Sequence, residues 1–133
     1  MLEVGAGSGY AAAVLAHIAG EVHAIERHPS LANQSRQVLK RLGYSNVHIH
    51  QADGSRGWPC KAPFDAIAVA AAAPSIPASL RQQLKVGGRL VIPIGPMDQQ
   101  ILTRLTRTDY NDYREESLGK VRFVPLIGRE GWS

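Results

Sequence analysis

The sequence predicts an α/β fold with a doubly wound, mostly parallel sheet that ends in an antiparallel hairpin. Three observations lead to this prediction. Short apolar runs rich in β-branched residues alternate with helical segments along most of the chain. A glycine-rich turn directly follows the first apolar run. After about residue 100 two strand-like runs follow each other without a helix, and the 133 residues fit one domain, 1–133.

The first half of the chain carries clear local signals for each element. Residues 1–4 are predicted as the end of a first strand, and residues 11–19 as an alanine-rich helix that Gly20 ends. Residues 21–26 form the second strand. Pro29 suits the first turn of a helix over residues 29–42, for which Gly43 is the stop signal, and residues 47–51 form the third strand.

The second half completes the sheet. Residues 65–71 are predicted as a fourth strand that is apolar enough to be buried on both faces. A helix over 77–84, a turn at Gly87 and Gly88 and a fifth strand over 89–94 follow. Residues 101–107 and 117–124 are predicted as a hairpin around the turn-rich residues 109–112, because no helix is long enough for a parallel crossover. This arrangement is Rossmann-like.

Composition excludes several classes of function. Cys60 is the single cysteine, so no internal disulfide forms, and this favours a reducing, cytoplasmic compartment. No secretory leader is seen, and the most apolar stretch is too short to span a membrane. The basic residues are scattered, which disfavours a nucleic-acid face. His48 and His50 share a strand face without a third ligand in view, so we assign no metal site.

The glycine turn carries the strongest functional signal. Gly5, Gly7 and Gly9 have the spacing G-x-G-x-G, and Tyr10 stands where the dinucleotide fingerprint needs a further glycine. Glu3 brings a negative charge to the turn, which suits a cation and disfavours a phosphate. S-adenosylmethionine has no phosphate and carries a sulfonium cation. An ordinary βα turn is the alternative interpretation.

Two further acidic residues end strands on the predicted ligand side of the sheet. Glu26 ends the second strand about 20 positions after Gly5, where an acidic side chain can accept both hydroxyl protons of a ribose. Asp53 and Gly54 follow the third strand, where Asp53 can accept a hydrogen bond from an adenine amino group. A plain Asp-Gly turn is the alternative for this pair.

The whole chain resembles the C-terminal two-thirds or so of the protein-L-isoaspartate O-methyltransferase family. The matching stretches are LEVGAGSGY, the acidic Glu26, ADGSRGW, PFDAIAVAAAAPSIPASLRQQLKVGGRLVIPIG and VRFVPLIG. The resemblance implies a class I methyltransferase that transfers a methyl group from S-adenosylmethionine to the carboxylate of isoaspartyl residues in damaged proteins and releases S-adenosylhomocysteine. The ester then promotes succinimide formation and repair.

The resemblance also implies residue roles. The residues implied for the cofactor are Glu3, Gly5, Gly7, Gly9, Glu26, Asp53 and Gly54. Those implied for the peptide side are Ala72, Ala73, Pro74, Val124 and Pro125. No catalytic residue is assigned, because a carboxylate is already ionised at neutral pH and needs alignment more than a general base. The [ND]-P-P-[YFW] motif of amino-methyltransferases is replaced by alanines and Pro74, which disfavours N-methylation of nucleic acids.

The family carries an N-terminal segment, with a Ser/Thr-bearing loop that contacts the isoaspartyl carboxylate, before the position of Met1. We therefore expect a truncated chain whose newly exposed apolar surface favours self-association. Four functions stay open: the isoaspartyl methyltransferase, a cofactor-binding unit without turnover, a class I methyltransferase of another small-molecule or protein substrate, and an NAD-dependent or nucleotide-sugar enzyme.

Overall fold

A computed structural model describes residues 1–133 and confirms the α/β fold. The strands are β1 (Leu2–Val4), β2 (Val22–Glu26), β3 (Val47–Gln51), β4 (Phe64–Val69), β5 (Leu84–Ile94), β6 (Gln100–Asp109) and β7 (Asp112–Val121). The helices are α1 (Tyr10–Leu15), α2 (Pro29–Arg41) and α3 (Ala78–Gln82). Two short 3-10 turns, Gly54–Arg56 and Pro59–Lys61, lie between β3 and β4. No helix has the length and apolar composition that a bilayer crossing requires.

The seven strands form one sheet in the order β3-β2-β1-β4-β5-β6-β7. The strands from β3 to β5 are parallel, whereas β6 is antiparallel to β5 and β7 is antiparallel to β6. The chain moves outward from β1 to β3 and then returns to β4 on the other side of β1. This reversal between β1 and β4 is a topological switch point, where parallel sheets bind ligands at the carboxyl ends of their strands.

Helices α1 and α3 are shorter than predicted at their C-terminal ends. Helix α1 ends at Leu15, and the chain continues in hydrogen-bonded turns, such as Ala19 N–H to the Leu15 carbonyl at 2.8 Å, so Gly20 does not end the helix. Helix α3 ends at Gln82 because strand β5 begins two residues later, at Leu84. Helix α2 agrees with the prediction, and Gly43 after it has the expected positive φ of 83°.

The glycine pair of β5 does not separate a helix from a strand as predicted. Pairing between β4 and β5 jumps from Phe64 with Leu84 to Ala66 with Arg89, so residues 85–88 bulge out within the strand. Gly87 takes a φ of 87° in this bulge, a conformation that favours glycine. The glycines therefore bend the chain inside β5, which starts five residues before the predicted strand.

Strand β7 begins earlier than predicted. Tyr110 and Asn111 form a tight connection, so β7 pairs with β6 from Asp112 onward and ends at Val121. A short hairpin turn fixes the register of its strands, which leaves no room for a strand that starts at residue 117. Residues 122–127, predicted partly as strand, leave the hairpin and run elsewhere.

The core lies on both faces of the sheet but does not cover it evenly. One cluster contains Ile67 and Leu80 on the side of α3, and the other contains Ala12 and Leu39 on the side of α1 and α2. The prediction that β4 is buried on both faces is wrong, because its alternate residues Ala66 and Ala68 are only half-buried. Helix α1 packs mainly on β2, and helix α2 packs mainly on β3 and β2.

Candidate functional site

The glycine turn is a compact loop whose backbone is held by strand β2. Gly5, Gly7 and Gly9 have φ values of 93°, 53° and 89°, which other residues rarely adopt. The backbone N–H groups of Gly5 and Ala6 both donate to the carbonyl of Ile25, at 2.9 and 3.0 Å. Gly9 N–H donates to the carbonyl of Ala6 at 2.9 Å. These backbone N–H groups of the loop are therefore engaged in hydrogen bonds that fix its conformation.

Glu26 at the end of β2 completes this arrangement. One carboxylate oxygen accepts the backbone N–H of Gly7 at 2.8 Å, and the other accepts the backbone N–H of His28 at 2.9 Å. The residue is only 7% exposed. Each carboxylate oxygen has a second lone pair, so Glu26 can still accept hydrogen bonds from a ligand.

A cleft of about 290 Å³ opens beside this loop, at the carboxyl ends of β1, β2 and β4. Its lining is largely apolar, with Glu26 as the one carboxylate and Arg27 and His28 at one side. The lining residues are Val4, Gly5, Gly7, Ile25, Glu26, Arg27, His28, Leu31, Gly54, Ala70, Ala71, Val124, Pro125, Leu126 and Ile127. Apolar walls around a few placed polar groups are typical of small-molecule sites.

One wall of the cleft comes from residues 124–127. Ala72 N–H donates to the carbonyl of Val124, and Leu126 N–H donates to the carbonyl of Ala72, both at 2.7 Å. Ala73 N–H donates to the carbonyl of Pro93 at 3.0 Å, which ties the loop after β4 to β5. This pairing explains why residues 122–127 leave the hairpin: they form a strand-like wall against the loop after β4.

Asp53 holds the end of this wall in place. Its Oδ1 accepts hydrogen bonds from the backbone N–H and the hydroxyl of Ser55, at 3.0 and 2.7 Å, and its Oδ2 accepts the N–H of Arg129 at 2.9 Å. Burial would raise the pKa of Asp53, but the hydrogen bonds from Arg129 and Ser55 outweigh it and lower the pKa. The hydroxyl of Ser55 also accepts the N–H of Glu130 at 3.0 Å.

Glu3 is buried within the sheet. It is 2% exposed, and it lies in register with Ala24 on β2 and Ala68 on β4. Its Oε1 has no hydrogen-bond partner. Burial raises the pKa of Glu3 to about 7, because no cation offsets the loss of hydration.

The structure brings about half of the predicted site residues to the cleft. Gly5, Gly7, Glu26, Gly54, Val124 and Pro125 line it. Glu3, Gly9, Asp53, Ala72, Ala73 and Pro74 do not line it. Gly9 packs near Leu39, Asp53 and Ala72 hold the wall through hydrogen bonds, and Ala73 bonds instead to Pro93 on β5. The roles predicted for these residues toward a ligand stay predictions.

Sequence reasoning did not name several lining residues. Arg27 and His28 follow Glu26 directly, so their place after an acidic strand end was an available signal. Ile127 continues the apolar run that begins with Val124, and that run was a second signal. Leu31 in the first turn of α2 and Ala70 after β4 had no distinguishing pattern.

The chain is similar to known proteins along nearly its whole length. The family model described as Protein-L-isoaspartate(D-aspartate) O-methyltransferase matches residues 1–131. The protein-L-isoaspartate O-methyltransferase of Rhodopseudomonas palustris strain CGA009 is 57% identical over 133 residues, covering 99% of this chain and 61% of the relative. The chain spans between 55% and 61% of the length of the first curated relatives that it matches.

Two solved structures are also similar. A protein-L-isoaspartate O-methyltransferase that is 30% identical superposes with a TM-score of 0.90 over 98% of this chain and 42% of its own. A protein from Plasmodium falciparum, assigned to the same enzyme type and solved with S-adenosyl-L-homocysteine, is 29% identical. Its TM-score is 0.79, over 95% of this chain and 64% of its own.

Proposed function

Because the chain belongs to the protein-L-isoaspartate(D-aspartate) O-methyltransferase family, we propose that it binds S-adenosylmethionine and serves methyl transfer to the carboxylate of isoaspartyl residues in damaged proteins. The observation that carries this proposal is that backbone N–H groups of the glycine loop are already hydrogen-bonded within the protein. The N–H groups of Gly5, Ala6, Gly7 and Gly9 are all paired within the protein. They are not free to hold a pyrophosphate, which is what the corresponding donors do in dinucleotide sites.

The cleft fits an adenosyl ligand without phosphate. The second lone pairs of the Glu26 carboxylate suit the two hydroxyls of a ribose, while the charge of Glu26 beside Gly7 repels a phosphate. Leu31, Ile25 and Gly54 offer apolar surface for the faces of a base. In this assignment Gly5 and Gly7 lie beside the methionine portion, and the product S-adenosylhomocysteine occupies the same cleft.

The chain's part in the reaction is positioning. The bound cofactor supplies an electrophilic methyl group on its sulfonium, and an isoaspartyl carboxylate is already ionised at neutral pH, so no side chain has to remove a proton. The loop around Ala72 and Ala73 is fixed by hydrogen bonds to Val124 and Pro93. With Pro74, Val124 and Pro125, this loop is proposed to align the acceptor peptide and exclude water from it.

We also propose the partners of the protein and its cellular compartment. The methyl acceptors are isoaspartyl-containing peptides and proteins, and we propose no nucleic-acid or membrane partner. The lone cysteine, Cys60, is exposed and free, which supports action in the reducing cytoplasm.

Self-association of the chain is part of the proposal. Tyr10, Val14 and Ile18 on and after α1 are 77%, 47% and 81% exposed, and they form apolar surface suited to a second copy. Sedimentation velocity over a range of concentrations tests this. Ile18→Glu should shift the protein toward monomer, whereas Val86→Glu, at an exposed position in the β5 bulge, should not. A monomer at all concentrations in the unmodified protein contradicts self-association.

Calorimetry and a radiolabelled methyl assay test the main proposal together. S-adenosylhomocysteine should bind while NAD does not, and Glu26→Ala should weaken binding while Glu115→Ala, at an exposed site, should not. Methyl transfer should occur to an isoaspartyl peptide and not to its aspartyl counterpart. Binding without transfer to either peptide supports the alternative, a cofactor-binding unit without turnover. Preference for NAD, or unchanged affinity in Glu26→Ala, refutes the cofactor assignment.

A further inference from the structure

A second group of chemically active side chains lies at the opposite end of the sheet from the cleft. His23 and His48 are paired residues near the starts of β2 and β3, and Glu21 immediately precedes β2. The cleft lies instead at the carboxyl ends of the strands, and none of these three residues lines it. The group is therefore independent of the proposed methyl transfer.

The three side chains offer ligand atoms that are close enough to share one metal ion. Oε1 of Glu21 lies 2.6 Å from Nε2 of His23 and 3.9 Å from Nε2 of His48, and the three ligand atoms all lie within 4.8 Å of one another. Tetrahedral ligands about 2.0 Å from a zinc ion are separated by roughly 3.3 Å. Small side-chain rotations bring the three atoms to this spacing, because Glu21 and His48 are 56% and 44% exposed and free to move.

The third histidine holds the buried ligand in place. Nδ1 of His23 lies 3.0 Å from Nε2 of His50, and the ring of His50 stacks on Trp58 with centroids 4.0 Å apart. A metal-binding histidine usually donates the N–H of its other ring nitrogen to a fixed acceptor, which orients the ring. His50 offers that acceptor, and Nε2 of His23 is then directed toward Glu21 and His48.

We propose that Glu21, His23 and His48 bind a divalent transition-metal ion of the zinc type. Two imidazoles and one carboxylate are donors that Zn²⁺ and Co²⁺ accept, whereas Mg²⁺ and Ca²⁺ prefer oxygen ligands alone. The exposed side of the group leaves a fourth position for water. The ion would tie the segment before β2 to β3, which is an edge strand of the sheet.

A hydrogen-bonded chain without metal explains part of the same arrangement. His23 can donate to Glu21 and accept from His50, which satisfies the buried ring on both sides. That chain does not involve His48, whose nitrogen is 3.9 Å from the Glu21 oxygen, too far for a hydrogen bond. His48 therefore separates the two interpretations, because its loss removes a metal ligand and leaves the hydrogen-bonded chain intact.

Zn²⁺ calorimetry on untagged, chelator-treated protein tests the proposal, with Mg²⁺ as a parallel titrant and the Co²⁺ visible spectrum as a second measurement. The protein should bind one Zn²⁺ per chain and no Mg²⁺, and Co²⁺ should give the spectrum of a tetrahedral site. His48→Gln should weaken Zn²⁺ binding at least about tenfold. His17→Gln, which changes an exposed histidine bonded to Tyr44, should leave Zn²⁺ binding unchanged.

Removing the positive charge of the neighbouring Lys61 is a test in which Zn²⁺ affinity should rise. Lys61 is close enough to act electrostatically on both Glu21 and His23. Lys61→Gln should therefore strengthen Zn²⁺ binding without adding a ligand. Circular dichroism of the metal-free variants checks that each remains folded. Absence of Zn²⁺ binding in the unmodified protein, or equal affinities in the unmodified protein and folded His48→Gln, overturns the proposal.

Discussion

The carboxylate of Glu26 accepts the backbone N–H of Gly7 at 2.8 Å, so the acidic end of β2 is hydrogen-bonded directly to the glycine loop. The same side chain is therefore placed to hold the loop and to meet a ligand. The two predicted site features, loop and acid, are one structural unit.

Glu26→Gln tests this double role. A glutamine amide keeps one acceptor oxygen and replaces the other with an N–H₂ donor, so it leaves either Gly7 or His28 without its partner. An unsatisfied buried donor costs about 1–3 kcal/mol, which we expect as a loss of folding stability in urea unfolding. Affinity for S-adenosylhomocysteine should fall as well. Normal stability with reduced affinity would show that the acid serves the ligand alone.

Glu3→Gln should change the pH dependence of stability. The pKa of Glu3 is raised from 4.5 to about 7 by burial, so the protonated carboxyl favours the folded state. That contribution is present below the unfolded pKa and is lost as the pH rises through about 7. Glutamine cannot ionise. The free energy of unfolding of the variant, relative to that of the unmodified protein, should therefore rise by about 2–3 kcal/mol between about pH 5 and pH 8.

Denaturant unfolding at both pH values measures this difference. Glu115→Gln, which removes an exposed carboxyl, is the matched control and should show no such gain. Parallel pH profiles for the unmodified protein and Glu3→Gln would mean that Glu3 ionises freely in the folded state.

Gly54→Ala should disturb the floor of the cleft. A Cβ at this position would lie 2.4 Å from Cγ1 of Val4 and 3.8 Å from Cγ2 of Ile25, and both residues line the cleft. Overpacking of this kind costs about 1–3 kcal/mol, and we expect weaker binding of S-adenosylhomocysteine together with a lower melting temperature. Gly20→Ala, where a Cβ meets nothing within 4 Å, should leave both unchanged.

Asp53→Asn should loosen the wall of the cleft. Asparagine can still accept from Ser55, but its amide nitrogen cannot accept the N–H of Arg129. Hydrogen bonds to charged groups contribute about 1.5–3 kcal/mol to stability. The free energy of unfolding near neutral pH should therefore fall by up to this amount. Hydrogen exchange at Arg129 should also become faster.

The same variant has a defined pH dependence. The pKa of Asp53 is lowered in the folded protein, so its stabilising effect is fully present above the unfolded pKa of 3.8 and is lost as the pH falls through the folded pKa. The stability difference between Asp53→Asn and the unmodified protein should therefore shrink in strong acid. A difference that stays constant down to the most acidic conditions contradicts an ionised role for Asp53.

Local sequence signals were sufficient where neighbouring residues determine the structure. The bounds of β3 and the start of α2 agree with the prediction, because Pro29 and the alternating residues of β3 act through their own backbone preferences. The glycine loop and Glu26 were found by spacing, since a parallel sheet brings the ends of adjacent strands together. Helix α1 was overextended, because alanine propensity alone does not show where tertiary contacts end a helix.

Contacts between distant parts of the chain were not visible in the sequence. Asp53 bonds to Arg129, and Ala72 pairs with Val124, across more than fifty residues in each case. His23 lies beside His48 only because of the register between β2 and β3. A strand's hydrophobic pattern indicates which face is buried, but it does not state which residue of the next strand lies opposite.

The wall made by residues 124–127 has a consequence for the order in which the protein matures. Strands β1 to β3 are synthesised before residues 124–127, but a domain generally folds as one unit, so these strands alone do not complete the cleft. Leu126 and Ile127 are added much later, and the cleft has no complete boundary until they reach Ala72. A nascent chain that already contains the glycine loop and Glu26 should therefore gain tight ligand retention only after Leu126 and Ile127 have left the ribosome.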